Sequence, residues 1–192
     1  MQAAQRITKG DVLQRVAGIG FIVGGIATLA GNVLIPRAAD NPSVVAEGLA
    51  ALGENESLAQ IALLVLIIGW WAFLVGVVGV YRSLSTGTAA VWARLGFYGL
   101  LGATTLATVS LATGLATTSA AVDWVAAGST TGTTEYAIAA SLHAIGNSVF
   151  DVMIVGNWLA LLVLGIGMVL SDTYPRWLGL GASRARRRGR CR

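Results

Sequence analysis

Charge is what this chain has least of. Asp, Glu, Lys and Arg make up 11% of the 192 residues, against 55% hydrophobic residues and a mean hydropathy of +0.73. A soluble domain carries nearer a quarter charged residues, so a water-solvated globular fold is excluded. The net charge of +4 is then not read as a nucleic-acid-binding face, because no aromatic or folded platform accompanies it. One cysteine, Cys191, rules out an intrachain disulfide. One histidine, His143, rules out a multi-histidine metal site. H-E-x-x-H, G-x-S-x-G and Walker-type phosphate loops are all missing. No catalytic, metal-ligating or cofactor-binding residue is therefore assigned, and no cofactor is expected.

What is present is a set of apolar runs near 20 residues, long enough to cross about 30 Å of hydrocarbon as helix. The spacing predicts an all-α, polytopic integral membrane protein with spans at about 16–35, 58–81, 94–116 and 145–170. They form a single four-span membrane domain over 16–176. A polar, basic segment, 1–15, precedes it, and a basic tail, 177–192, follows. The basic start and the first run resemble a signal peptide. The run continues through Val33, Leu34 and Ile35 to Pro36, which favours a retained helix.

The two longer loops, 36–57 and 117–136, hold Asp and Glu and almost no cations. In the first, Asn41-Pro42 is a helix-start signal for an amphipathic surface helix over 42–52, using Val44, Val45, Leu49 and Leu52. Ser57 to Gln60 fits a capping box for the second span. The second loop reads as a Thr/Ala/Gly-rich connector. Trp70 and Trp71 fall at mid-span, away from the usual interfacial belt, and are assigned to helix packing.

Counted segment by segment, Lys and Arg number three before the first span, one in the first loop, two around the second turn, none in the third loop and seven after the fourth span. This alternation follows the positive-inside rule. It predicts both termini in the cytoplasm, both longer loops outside, and the cell membrane as the location. Next to the membrane, Arg184, Arg186, Arg187, Arg188, Arg190 and Arg192 are expected to contact anionic lipid headgroups, at about 1 kcal/mol per residue.

Within lipid, helices associate through close packing and interhelical hydrogen bonds. Gly20 with Gly24 in the first span, and Gly99 with Ala103 in the third, have the small-residue spacing that such packing uses. The threonines of the third span are expected to bond back to their own helix carbonyls.

The fourth span carries the polar candidates. His143, Asn147 and Asp151 recur every four residues, and Asn157 falls within the same arc of roughly 120°. Ionisable groups inside a membrane are functional candidates by default. Counting about 20 residues back from Leu170 places Asp151 at the outer hydrocarbon edge, with His143 about 12 Å beyond it. Asn157 then lies within the core, as an interhelical hydrogen-bonding group toward a threonine of the third span. The leading functional expectation is a non-enzymatic membrane protein acting through helix–helix or subunit contacts, as a homo-oligomer or with another membrane subunit. A small transporter or proton-linked carrier using the polar stripe is the alternative. An intramembrane enzyme ranks last, because His143 and Asp151 stand about 12 Å apart along the helix.

Several motifs carry a family likeness. They are the basic start before a Gly-rich span, Ile35-Pro36 leading to Asp40-Asn41-Pro42, Val80-Tyr81-Arg82, and the closing Tyr174-Pro175-Arg176-Trp177-Leu178-Gly179. In this order they resemble the multi-pass membrane family grouped as domain of unknown function 4386. The resemblance implies a helical membrane protein with further spans after the Pro-Arg-Trp-Leu-Gly segment. Here arginines follow instead, as in a shortened member. The resemblance implies no activity and carries over no site residue.

Overall fold

A computed structural model describes residues 9–36, 44–84 and 86–171. The basic tail with its six arginines, Arg37, Pro42 and the segment 1–8 lie outside the described residues. Five helices follow one another: α1 (Lys9–Leu34), α2 (Val45–Glu54), α3 (Glu56–Ser83), α4 (Gly87–Ala126) and α5 (Thr134–Leu170). No strand occurs among the described residues. Four helices, all but α2, are long and apolar enough to cross a membrane.

Two tight antiparallel pairs make the bundle, α1 with α3 and α4 with α5, joined through α3 and α4. Glycine sets the first pair. A Cβ on Gly24 would lie 2.5 Å from Phe73 N, and one on Gly20 would lie 2.8 Å from Ala72 O. Opposite them on α3, Gly69 faces the Thr28 backbone and Gly76 faces Phe21. The second pair is built the same way. Gly96 abuts the Leu164 backbone, Gly99 abuts Ala160, and Ala103 is buried beside Met153. Ser110 Oγ donates to Gly146 O across this seam, at 2.9 Å. Large apolar residues point away from the bundle instead: Ile22, Leu29 and Val33 on α1 are 65%, 71% and 82% exposed. Such an inverted surface suits hydrocarbon and not water.

Three elements differ from the sequence reading. The second loop is short: α4 continues to Ala126 and α5 begins at Thr134. Segment 117–126 has no strong apolar run and carries one charge, Asp123, so periodicity alone reads it as connector. Tertiary contacts supply its helicity, because Thr117, Thr118, Ala121 and Trp124 are all buried. The turn is closed by Gly128 at φ 96°, Ser129 at φ 57°, and Trp124 Nε1 donating to Thr130 O at 3.0 Å.

The surface helix is present, as α2, but its apolar side is divided, with Val44 and Val45 exposed and Leu49 turned inward. Leu49 is fully buried against Ala121, Trp124 and Ala139. A Cβ on Gly53 would lie 2.7 Å from Ala121 O, so α2 lies directly across α4. Finally, the capping box is not formed. α3 starts two residues earlier, at Glu56 with Asn55 as its cap residue, and Gln60 Nε2 donates to the Glu56 side chain at 2.8 Å instead.

Candidate functional site

The fourth-span stripe lies on α5, and its four residues meet three different surroundings. The register of α5 against its neighbours decides their depth. Trp70 packs with Ala103, Ala107 and Met153, so Met153 stands near the middle of α3. That level is roughly 20 Å from both Glu56 and Arg82 at 1.5 Å per residue. Asp151, two residues earlier, is about 3 Å closer to the α2 end. Asp151 is thus level with the middle of α3, where a count back from Leu170 alone puts it at the end of a 20-residue segment. The count takes Leu170 as the far edge, but Gly167 packs beside Ala89 and Ala93, beyond Arg94 on α4.

Asn157 turns toward α4 and is buried, 9% exposed. Its Oδ1 has no hydrogen-bond partner among the described residues. The expected bond to a threonine is absent, and five of the α4 threonine hydroxyls are used locally. Thr105, Thr108, Thr113, Thr117 and Thr118 each donate to a carbonyl four residues back. Thr108 also accepts from Trp71 Nε1 at 3.1 Å.

His143 and Asn147 face a cleft of about 500 Å³ between the two helix pairs, near α2. Asn147 Nδ2 lies 3.0 Å from His143 Nε2. With the amide as donor, the neutral ring carries its proton on Nδ1. From α4, Ser110, Thr117 and Thr118 reach the same cleft, and Asn32 reaches it from α1. Deeper in, Leu66, Trp70, Phe150 and Ile154 line it with apolar surface. The stripe alone does not reveal this cleft. Its remaining wall comes from helices distant in sequence, and the tryptophan at mid-span is the one sequence signal that points to it.

Asp151 is outside the cleft. It is exposed on the opposite edge of α5 and has no hydrogen bond or ion pair among the described residues. Ala144, Ser148, Val155, Trp158 and Leu162 are exposed on the same edge. Their spacing alternates four and three residues, the repeat of a seam between two helices. No group of three or more His, Cys, Asp or Glu able to hold a metal occurs among the described residues. No family model, curated protein or solved structure matches the chain.

Proposed function

We propose that this is a four-span protein of the cell membrane, with both termini cytoplasmic, that acts by self-association along the outward edge of α5. The orientation rests on the alternating distribution of Lys and Arg along the chain. The arginine tail then lies at the cytoplasmic surface, against anionic headgroups. Membership in the family of domain of unknown function 4386 is part of the proposal on its motifs alone, and it brings no activity.

One observation carries the self-association reading. Asp151 sits level with the middle of the bundle, outward-facing and without a partner among the described residues. On insertion scales a carboxylate at such a depth costs about 2.5–3.5 kcal/mol when left to lipid. A second copy meeting α5 along Ala144, Ser148, Asp151, Val155, Trp158 and Leu162 removes that exposure. The small residues 144 and 148, with the Ser148 hydroxyl turned back onto Ala144 O, allow close approach. A polar group at one seam position also fixes register.

A carrier working along the stripe finds less support. Asn157 is sealed against α4, Asp151 is outside, and only His143 and Asn147 share the cleft. Among the described residues no Asp or Glu lines the cleft beside the imidazole, so catalysis also finds less support.

Oxidative cross-linking of single cysteines in native membranes, on a Cys191→Ser background, tests the reading. Dimers should form from positions 144, 148, 155 and 158 and not from 145 or 152, which are exposed but off the seam. Equal cross-linking at all six, or none at any, would overturn it.

A further inference from the structure

We propose that the cleft beside α2 is a binding site for a single-chain amphipathic lipid whose head is uncharged and hydroxyl-bearing. This inference is independent of self-association along α5, which uses another edge of the same helix.

The cleft is graded. His143, Asn147, Asn32, Thr117 and Thr118 lie toward α2, while Leu66, Trp70, Phe150 and Ile154 lie toward the middle of the bundle. Along α5 the distance from His143 to Ile154 is about 16 Å, so a chain enters to mid-bundle depth while its head stays at the α2 end. A volume of about 500 Å³ is within the range of small-molecule sites.

The head's chemistry follows from the lining. No Lys, Arg, Asp or Glu lines the cleft among the described residues, so a carboxylate, phosphate or ammonium head would enter without a counter-charge. The hydrogens of Ser110, Thr117 and Thr118 are committed to backbone carbonyls. Their oxygens remain acceptors, and Asn147 Oδ1 adds another. Donors line it as well: the second amide hydrogen of Asn147, the ring N–H of His143, the Thr28 hydroxyl and the Trp70 indole N–H. Such a mixed lining selects a head that both donates and accepts, which a hydroxyl does and an ester or ketone does not. A bare hydrocarbon would leave these groups unsolvated.

The test uses the full chain in phosphatidylcholine vesicles with a monoacylglycerol carrying a diazirine and an alkyne in its acyl chain. Photolabelling should concentrate on peptides containing residues 66–70 and 150–154, and unlabelled monoacylglycerol should compete it away. A free fatty acid of equal chain length should compete at least ten-fold less well. Asn147→Leu should weaken labelling roughly five- to ten-fold, the size of one hydrogen bond, while wild-type competition gives an answer even if that variant misfolds. Labelling that resists competition and is equal at the lipid-exposed Ile22 and Ile26 would mean annular lipid only, and would overturn the site. Equal competition by the fatty acid would overturn the assignment of the head.

Discussion

Gly24→Ala and Gly25→Ala test whether glycine contact holds α1 to α3. The two glycines are adjacent, but they point about 100° apart around the helix. A Cβ on Gly24 would sit 2.5 Å from Phe73 N, 2.8 Å from Phe73 Cα and 2.9 Å from Gly69 O. All three are backbone atoms, so no rotamer change relieves the clash and the helices must separate. Ordinary contact begins near 3.4 Å, which requires a shift of about 0.9 Å. A gap of that size forfeits a quarter to a half of each dispersion contact, and about 20 atom pairs at roughly 0.15 kcal/mol give a loss of about 1–1.5 kcal/mol. Strain adds to this, so overpacking of about 1–3 kcal/mol is expected for Gly24→Ala. A Cβ on Gly25 meets nothing within 4 Å. That change should lie within about 0.5 kcal/mol of wild type. Unfolding titrations from mild detergent into SDS, followed by circular dichroism, would measure both. Equal effects of the two changes would refute the argument, since chemistry and depth are shared and only the opposing backbone differs.

Three further outcomes follow from particular side chains. Asn157→Leu should stabilise the protein by about 1–3 kcal/mol in the same titration, because it removes a buried carbonyl oxygen that has no partner; a loss of stability would show that Asn157 satisfies something. Trp71→Phe should cost about 0.5–1.5 kcal/mol by deleting the indole bond to Thr108, and Thr108→Val should cost no more when added to it. Leu49→Ala should cost about 2–5 kcal/mol locally, since its side chain is fully buried under Trp124. Hydrogen exchange should then rise in α2 and at the end of α4, and leave the α1–α3 pair unchanged.

The helical class, the four long apolar helices and the small-residue contacts were legible in the sequence, because run length and Gly spacing are local properties. Gly24 shows this: its spacing from Gly20 marks a packing face without any knowledge of the partner. What could not be read locally was anything decided by the partner helix. The helicity of 117–126 depends on Leu49 and Ala139, which are far away in the chain. The level of Asp151 within the bundle depends on its register against Trp70, which a count from one helix end does not contain. The stripe itself was visible, but its division was not. An arc of 120° is wide enough for Asn157 to meet α4 at one edge while Asp151 meets the exterior at the other.

That division makes a final prediction about independence. If α5 serves two ligands through two edges, perturbing one edge should leave the other intact. Asp151→Leu should abolish the seam periodicity of cysteine cross-linking and leave cleft labelling within about two-fold of wild type. Asn147→Leu should weaken cleft labelling and leave the cross-linking pattern in place. Asp151 and Asn147 are only one helical turn apart, about 6 Å along the axis, which is close enough for mutational effects to couple through a backbone shift. A rigid helix locked by Gly96 and Gly99 against α4 resists such a shift, so the two effects should add. Loss of cleft labelling in Asp151→Leu would instead mean that the carboxyl helps to form the cleft, and that the stripe is one site after all.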